Sequence, residues 1–99
     1  MATTKRAPTH PGEILRKDVL PELGVSVSQA ARDLKMSRNL LHGILAERKS
    51  ITPESAVKIG KYCGNGPGLW LRMQTAYDLY QAEQNMIEVL KDIPRANAA

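Results

Sequence analysis

"LKMSRNLLHGIL", residues 34–45, is the stretch on which the fold turns. Its apolar residues Leu34, Met36, Leu40, Leu41, Ile44 and Leu45 recur at spacings a helix uses for a buried face. Ser37, Arg38 and Asn39 interrupt them, and His42 and Gly43 follow. Ser37 reads as a helix N-cap, because its hydroxyl can accept from a main-chain N–H at the helix start. The spacing then predicts a helix over 38–46 with Leu41, Ile44 and Leu45 inward and Arg38, Asn39 and His42 outward.

The preceding segment "SVSQAARDLKM", residues 26–36, supplies a partner. Ser26 with Gln29 three residues later reads as a capping box. Ala30, Ala31 and Leu34 form the inner face of a short helix, and small residues there allow close approach to a neighbour. Lys35 and Met36 make the turn. Glycine often fills such a turn, and a lysine there must accept a strained left-handed conformation. Two short helices joined this way form a helix-turn-helix, whose second helix offers its N-terminal side chains to base edges in the DNA major groove. Arg suits guanine and Asn suits adenine. Ser37 is also an ordinary N-cap, and a polar helix start is also a common solvated surface, so the spacing alone leaves both readings open.

Working outward, residues 10–24 predict a first helix. Pro11 suits its first turn, Ile14, Leu15, Val19 and Leu20 give its apolar stripe, and Pro21 and Gly24 are expected to end it. Thr52, Pro53 and Gly64 bracket a fourth helix, with Ala56, Val57, Ile59, Gly60 and Tyr62 as inner-face candidates. A fifth starts at Pro67 and is expected to run through Trp70, Met73, Tyr77 and Tyr80 toward Leu90, stopping before Pro94. No segment reads as a strand. The expected fold is all-α: a five-helix bundle over residues 10–93 with a helix-turn-helix and a long C-terminal helix. Residues 1–9 are expected to form a loose arm, and 94–99 a frayed tail.

Charge points the same way. The first fifty residues carry nine Lys or Arg against five Asp or Glu, whereas residues 51–99 carry five of each. The excess of +4 therefore lies wholly in the half that holds the two short helices, a modest sign of a nucleic-acid face. Ser26, Ser28 and Ser37 at the helix starts, and Arg48 and Lys49 in the following loop, are candidate phosphate contacts. For Arg48 and Lys49 a solvated turn is an equally good reading.

Other classes find little support. Cys63 is the only cysteine, so neither an intrachain disulfide nor a Cys-based zinc site can form within one chain. The N-terminus lacks the apolar core of a secretory signal, and no apolar run approaches membrane-span length. A reducing cytoplasm is the expected setting. His10 and His42 stand far apart with no carboxylate or cysteine at ligand spacing, and no phosphate-binding loop or metalloprotease motif occurs. Neither an enzyme nor a cofactor is expected.

Several separate signatures in order also resemble those of the HigA antitoxins, of the XRE-like helix-turn-helix class that includes the VapI proteins. They are "HPGEIL" at His10–Leu15, "SRN" at Ser37–Asn39, "ITPE" at Ile51–Glu54 and the segment from Pro67 to Leu79. The resemblance spans about residues 10–83. It departs at Gly66 and Gly68, where relatives usually carry a Ser or Thr cap and a Glu, and at Met73, where Leu is usual. Those glycines should weaken the start of the fifth helix.

The resemblance implies a lambda-repressor-like bundle, a homodimer bound to a palindromic operator on double-stranded DNA, and a RelE-like ribonuclease toxin as partner. A stand-alone repressor of the same fold without a toxin is the alternative. A palindrome needs two copies of the reading module, hence a self-complementary surface. Two stretches are candidates for a dimer or toxin interface. One is the outer face of the fifth helix at Tyr77, Tyr80 and Gln84. The other is "NMIEVLKDI", residues 85–93, with Ile87 and Leu90. Closure of the monomer core by the fifth helix, with 85–93 folded back over it, is the competing reading.

Overall fold

The computed structural model describes residues 7–96. Most of the proposed arm, residues 1–6, and the last part of the proposed tail, 97–99, lie outside the described residues. Among the described residues every regular element is helical.

The first helix, α1, covers 11–23. His10 caps it: its Nδ1 accepts the Gly12 N–H at 2.9 Å, and Pro11 takes the first helical position, where no N–H is needed. Pro21 does not end α1 as expected. The helix passes from an α turn, Pro11–Ile14, into a π turn, Leu15–Val19, and back to α at Leu20–Leu23. Proline has no N–H to give the carbonyl four residues back and crowds it. A wider turn just upstream relieves that conflict. It also places Leu20 five residues after Leu15 with both side chains buried. Gly24, with φ of 69°, then ends the helix in the left-handed region.

Helices α2, Val27–Leu34, and α3, Arg38–Leu45, form the expected pair. Ser26 Oγ accepts from the Gln29 N–H at 3.1 Å. The capping box is only half made, because the Gln29 side chain bonds Asp33 and Arg32 instead of reaching back. Lys35 takes the left-handed conformation the turn demands, φ 56° and ψ 45°. Its carbonyl accepts from Lys58 Nζ at 2.8 Å.

Helix α4, Pro53–Cys63, is capped by Thr52, whose Oγ1 accepts from the Ser55 N–H at 3.2 Å. Ala56, Ile59 and Gly60 face inward, whereas Val57 is 59% exposed. One residue further along a helix is about 100° around it, so a face set by 56, 59 and 60 leaves 57 in water. Helix α5, Pro67–Asn85, starts without a side-chain cap at Gly66, as the glycines there imply. A Cβ on Gly60 would lie 2.3 Å from the Gly66 main chain, so α4 and α5 meet through a close backbone approach that only glycine permits.

The core gathers Leu15, Leu34, Leu41, Ile44, Ile59 and Trp70 between the helices. Trp70 donates its Nε1–H to Asn65 at 2.9 Å. The fifth helix is shorter than expected: it breaks at Met86, and a separate turn, α6, covers Ile87–Lys91. Every residue from 81 to 96 is exposed, so 85–93 does not fold back over the core. The molecule measures 56 × 30 × 22 Å, drawn out by this end of the chain.

Candidate nucleic-acid interface

The candidate recognition surface is built on α3. Ser37 Oγ accepts from the Leu40 N–H at 3.0 Å, which fixes the start of the helix. Leu41, Gly43, Ile44 and Leu45 are buried. The same helix leaves Arg38, Asn39 and His42 exposed. Arg38 and His42, four residues apart, share a face, and Asn39 adjoins it. Ser26 and Ser37 are exposed at the two helix starts, and Ser28 is half-buried in the first turn of α2. With its oxygen engaged in capping, each cap hydroxyl still carries a hydrogen that can be donated.

After α3 the chain folds back on itself. The Arg48 and Lys49 N–H groups both donate to the Gly43 carbonyl, at 2.8 and 3.0 Å. A Cβ on Gly43 would meet Lys49 Cγ and Cδ at 2.8 Å, so the Lys49 stem lies directly across the helix there. Lys49 is therefore a cation pinned beside α3 rather than a side chain on a free turn. Arg48 is exposed in the same turn.

Four residues that the sequence reading did not assign to this surface hold it in place. Gly12 sits against α3 so closely that a Cβ would fall 1.8 Å from the Ile44 carbonyl oxygen. Arg16 donates to the Leu45 carbonyl and pairs with Glu47 at 3.4 Å. Gln74 is buried: its Oε1 accepts the Ile51 N–H at 2.8 Å and its Nε2 donates to Asp78 at 3.0 Å, tying the segment after the turn to α5. His10 is only 2% exposed, and its ring meets Tyr77 edge-on at 4.8 Å. Burial pushes the His10 pKa below its ordinary value, against the opposing pull of Glu47, Asp78 and the Lys49 main chain. In the sequence His10 and Gly12 stood in the "HPGEIL" signature and Gln74 in the Pro67–Leu79 segment, but the long-range partners of all four leave no mark there.

The proposed interface residues divide. Tyr77 is half-buried and turned toward His10, so it is not on an outer face. Tyr80 is half-buried and lines a cleft with Pro8, Ala76, Leu79 and Glu83. Gln84, Ile87 and Leu90 are exposed.

Away from this surface, Tyr62 donates to Asp33 at 2.6 Å, linking α4 to α2. That bond holds the Asp33 carboxyl below its usual range and raises the Tyr62 pKa to about 12. Burial raises the Cys63 thiol. No group of His, Cys, Asp or Glu among the described residues is placed to hold a metal ion, and no helix among them is long and apolar enough to cross a membrane.

No family model matches the chain. Individual relatives do. Virulence-associated protein I of Dichelobacter nodosus is 39% identical over 90 residues, covering 91% of this chain and 83% of that protein. Antitoxin HigA-1 of Vibrio cholerae is 30% identical over 91 residues, covering 92% and 86%. This chain belongs to the HigA-type helix-turn-helix antitoxins. Among solved structures, Pseudomonas aeruginosa antitoxin HigA with the higBA promoter superposes with a TM-score of 0.84 at 30% identity, covering 91% of this chain and 98% of that one. The HigA-type fold thus extends over nearly the whole chain, α5 included.

Proposed function

We propose that this protein is a dimeric, sequence-specific DNA-binding antitoxin. It represses its own operon by binding a palindromic operator and neutralises a RelE-like ribonuclease toxin encoded beside it. The observation that carries the DNA half is the division of α3. Leu41 and Ile44 are at most 1% exposed and lock the helix into the core, while Arg38, Asn39 and His42 stand clear of it at the capped end. A rigid helix with free Arg and Asn side chains has the parts needed for direct readout in a major groove. Lys49, pinned alongside, and the cap hydroxyls of Ser26 and Ser37 suit phosphates on either side. The promoter-bound Pseudomonas HigA supports this reading. The toxin half is supported by membership of an antitoxin family.

The test is a gel shift on the DNA upstream of its own gene, against a scrambled duplex. Arg38→Ala and Asn39→Ala are each expected to cost about 1–3 kcal/mol on the operator and to relax discrimination, as lost base contacts do. If both variants bind the operator as wild type does, α3 is not the reading helix. Co-expression with the neighbouring open reading frame tests the toxin half, which fails if no complex forms and growth is unaffected.

A further inference from the structure

The exit of α3 is held by a side chain from a different helix. The last turn of an α-helix leaves carbonyls without partners, and its end carries a partial negative charge. Here the Leu45 carbonyl accepts from the Arg16 guanidinium of α1, which brings a positive charge to that end. The same guanidinium nitrogen pairs with Glu47 at 3.4 Å. Glu47 itself is held at φ of 65°, a left-handed conformation that glycine adopts freely and glutamate does not. Immediately after it, the Arg48 and Lys49 N–H groups close onto the Gly43 carbonyl. A strained residue with an acid side chain thus stands where glycine would relax the backbone, and that acid reaches the cation gripping the helix end.

We propose that Arg16 is a positioning residue for DNA recognition: by bridging the Leu45 carbonyl and the Glu47 carboxylate it sets the 46–49 turn that presents Arg48 and Lys49 to phosphates. The proposal rests on the DNA-binding reading above and adds a residue outside the helix-turn-helix to its machinery. The glutamate at position 47 follows from the same logic. Glycine would make the turn without strain but would leave Arg16 with one anchor and the turn free to open.

The alternative is that Arg16 touches a phosphate itself. The two differ in what Glu47 does. If Arg16 is a direct contact, Glu47 competes with DNA for it, and removing the carboxylate strengthens binding. If Arg16 positions the turn, removing the carboxylate weakens binding although a negative charge has been deleted.

Three measurements decide. In Glu47→Gly the melting temperature is expected to stay level or rise, while operator affinity falls about fivefold, since each loosened cation forfeits part of its phosphate contact. In Arg16→Met, which keeps the stem, affinity is expected to fall about tenfold and the salt slope to flatten by about two, one for each of Arg48 and Lys49. Amide exchange on the DNA-free protein should show the Arg48 and Lys49 N–H groups losing protection in Arg16→Met. The proposal is overturned if those amides exchange as in wild type, or if Glu47→Gly binds the operator as tightly as wild type or tighter. A wild type that binds no operator sinks the DNA-binding reading, whatever the exchange rates. A binding wild type matched by Arg16→Met sinks this inference alone.

Discussion

His10 shows how much one residue can join. Its Nδ1 accepts the Gly12 N–H, so in this tautomer the ring proton is on Nε2. Protonating Nδ1 would turn the acceptor into a donor facing another donor, inside a site that burial already makes hostile to charge. The folded state therefore holds its pKa below the unfolded value of 6.5. For such a group the contribution to stability is complete above the unfolded value and is lost as pH falls through the folded one. Thermal melts between pH 7.5 and pH 5 should show wild type losing stability below about pH 6.5. His10→Asn keeps a capping oxygen but removes the titrating ring. It should be less stable at neutral pH, from lost ring burial, and should show a flatter profile across that interval. Parallel profiles for the two proteins would mean that the ring does not titrate in this range. In the sequence His10 could be read as a histidine just before a proline, and as part of a family signature. That it packs on Tyr77, sixty-seven positions along the chain, could not.

At the scale of elements, legibility followed the range of the cause. The caps at Ser26, Ser37 and Thr52 and the stops at Gly24 and Gly64 are local chemistry, and the structure places each at its helix end. The inward face of α3 is periodic and was read from its spacing. The failures lie where one residue's effect depends on what its neighbours or another helix do. Pro21 reads as a terminator until the π turn of Leu15–Val19 relieves its missing hydrogen bond. Val57 reads as core until Ala56, Ile59 and Gly60 fix which face meets α5. The turn after α3 falls between these cases. Its two cations were visible in the sequence, but that the Lys49 stem lies across Gly43 was not. That placement gives an element-level expectation. Lys49→Ala should weaken binding to operator and scrambled duplex alike and reduce the slope of log affinity against log salt by about one. A titration series from low to moderate salt measures it, and an unchanged slope would assign the Lys49 ammonium to solvent.

At the scale of the whole molecule, polarity is divided between the two ends. The basic excess and the proposed reading helix α3 lie in the first half of the chain, and the far end is a projecting helix with exposed apolar side chains. Leu79, Ile87, Val89 and Ile93 are each more than half exposed, and Met86 and Leu90 are close to that. An apolar patch of this extent on a small domain calls for a partner. Among the described residues nothing covers it, so the reading in which 85–93 seals the core fails, and a surface shared with a second copy or with the toxin remains. A palindromic site needs two reading heads held at a fixed separation, and a self-complementary patch on the projecting end could supply that. We therefore expect residues 77–93 to contribute to a homodimer interface through the exposed parts of Tyr80, Gln84, Ile87 and Leu90, whereas Tyr77 is turned inward toward His10. Truncation after Glu83 removes most of the patch and leaves Trp70, Gln74 and the His10–Tyr77 contact in place, so the monomer should stay folded. Sedimentation should then show a shift toward monomer, and operator binding should suffer more than half-site binding, because only the full palindrome uses the linkage between heads. A truncated protein that remains folded, dimeric and fully competent on the operator would move the dimer contact elsewhere. The exposed apolar end would then have the toxin as its natural occupant, and loss of toxin binding by the same truncation would show it.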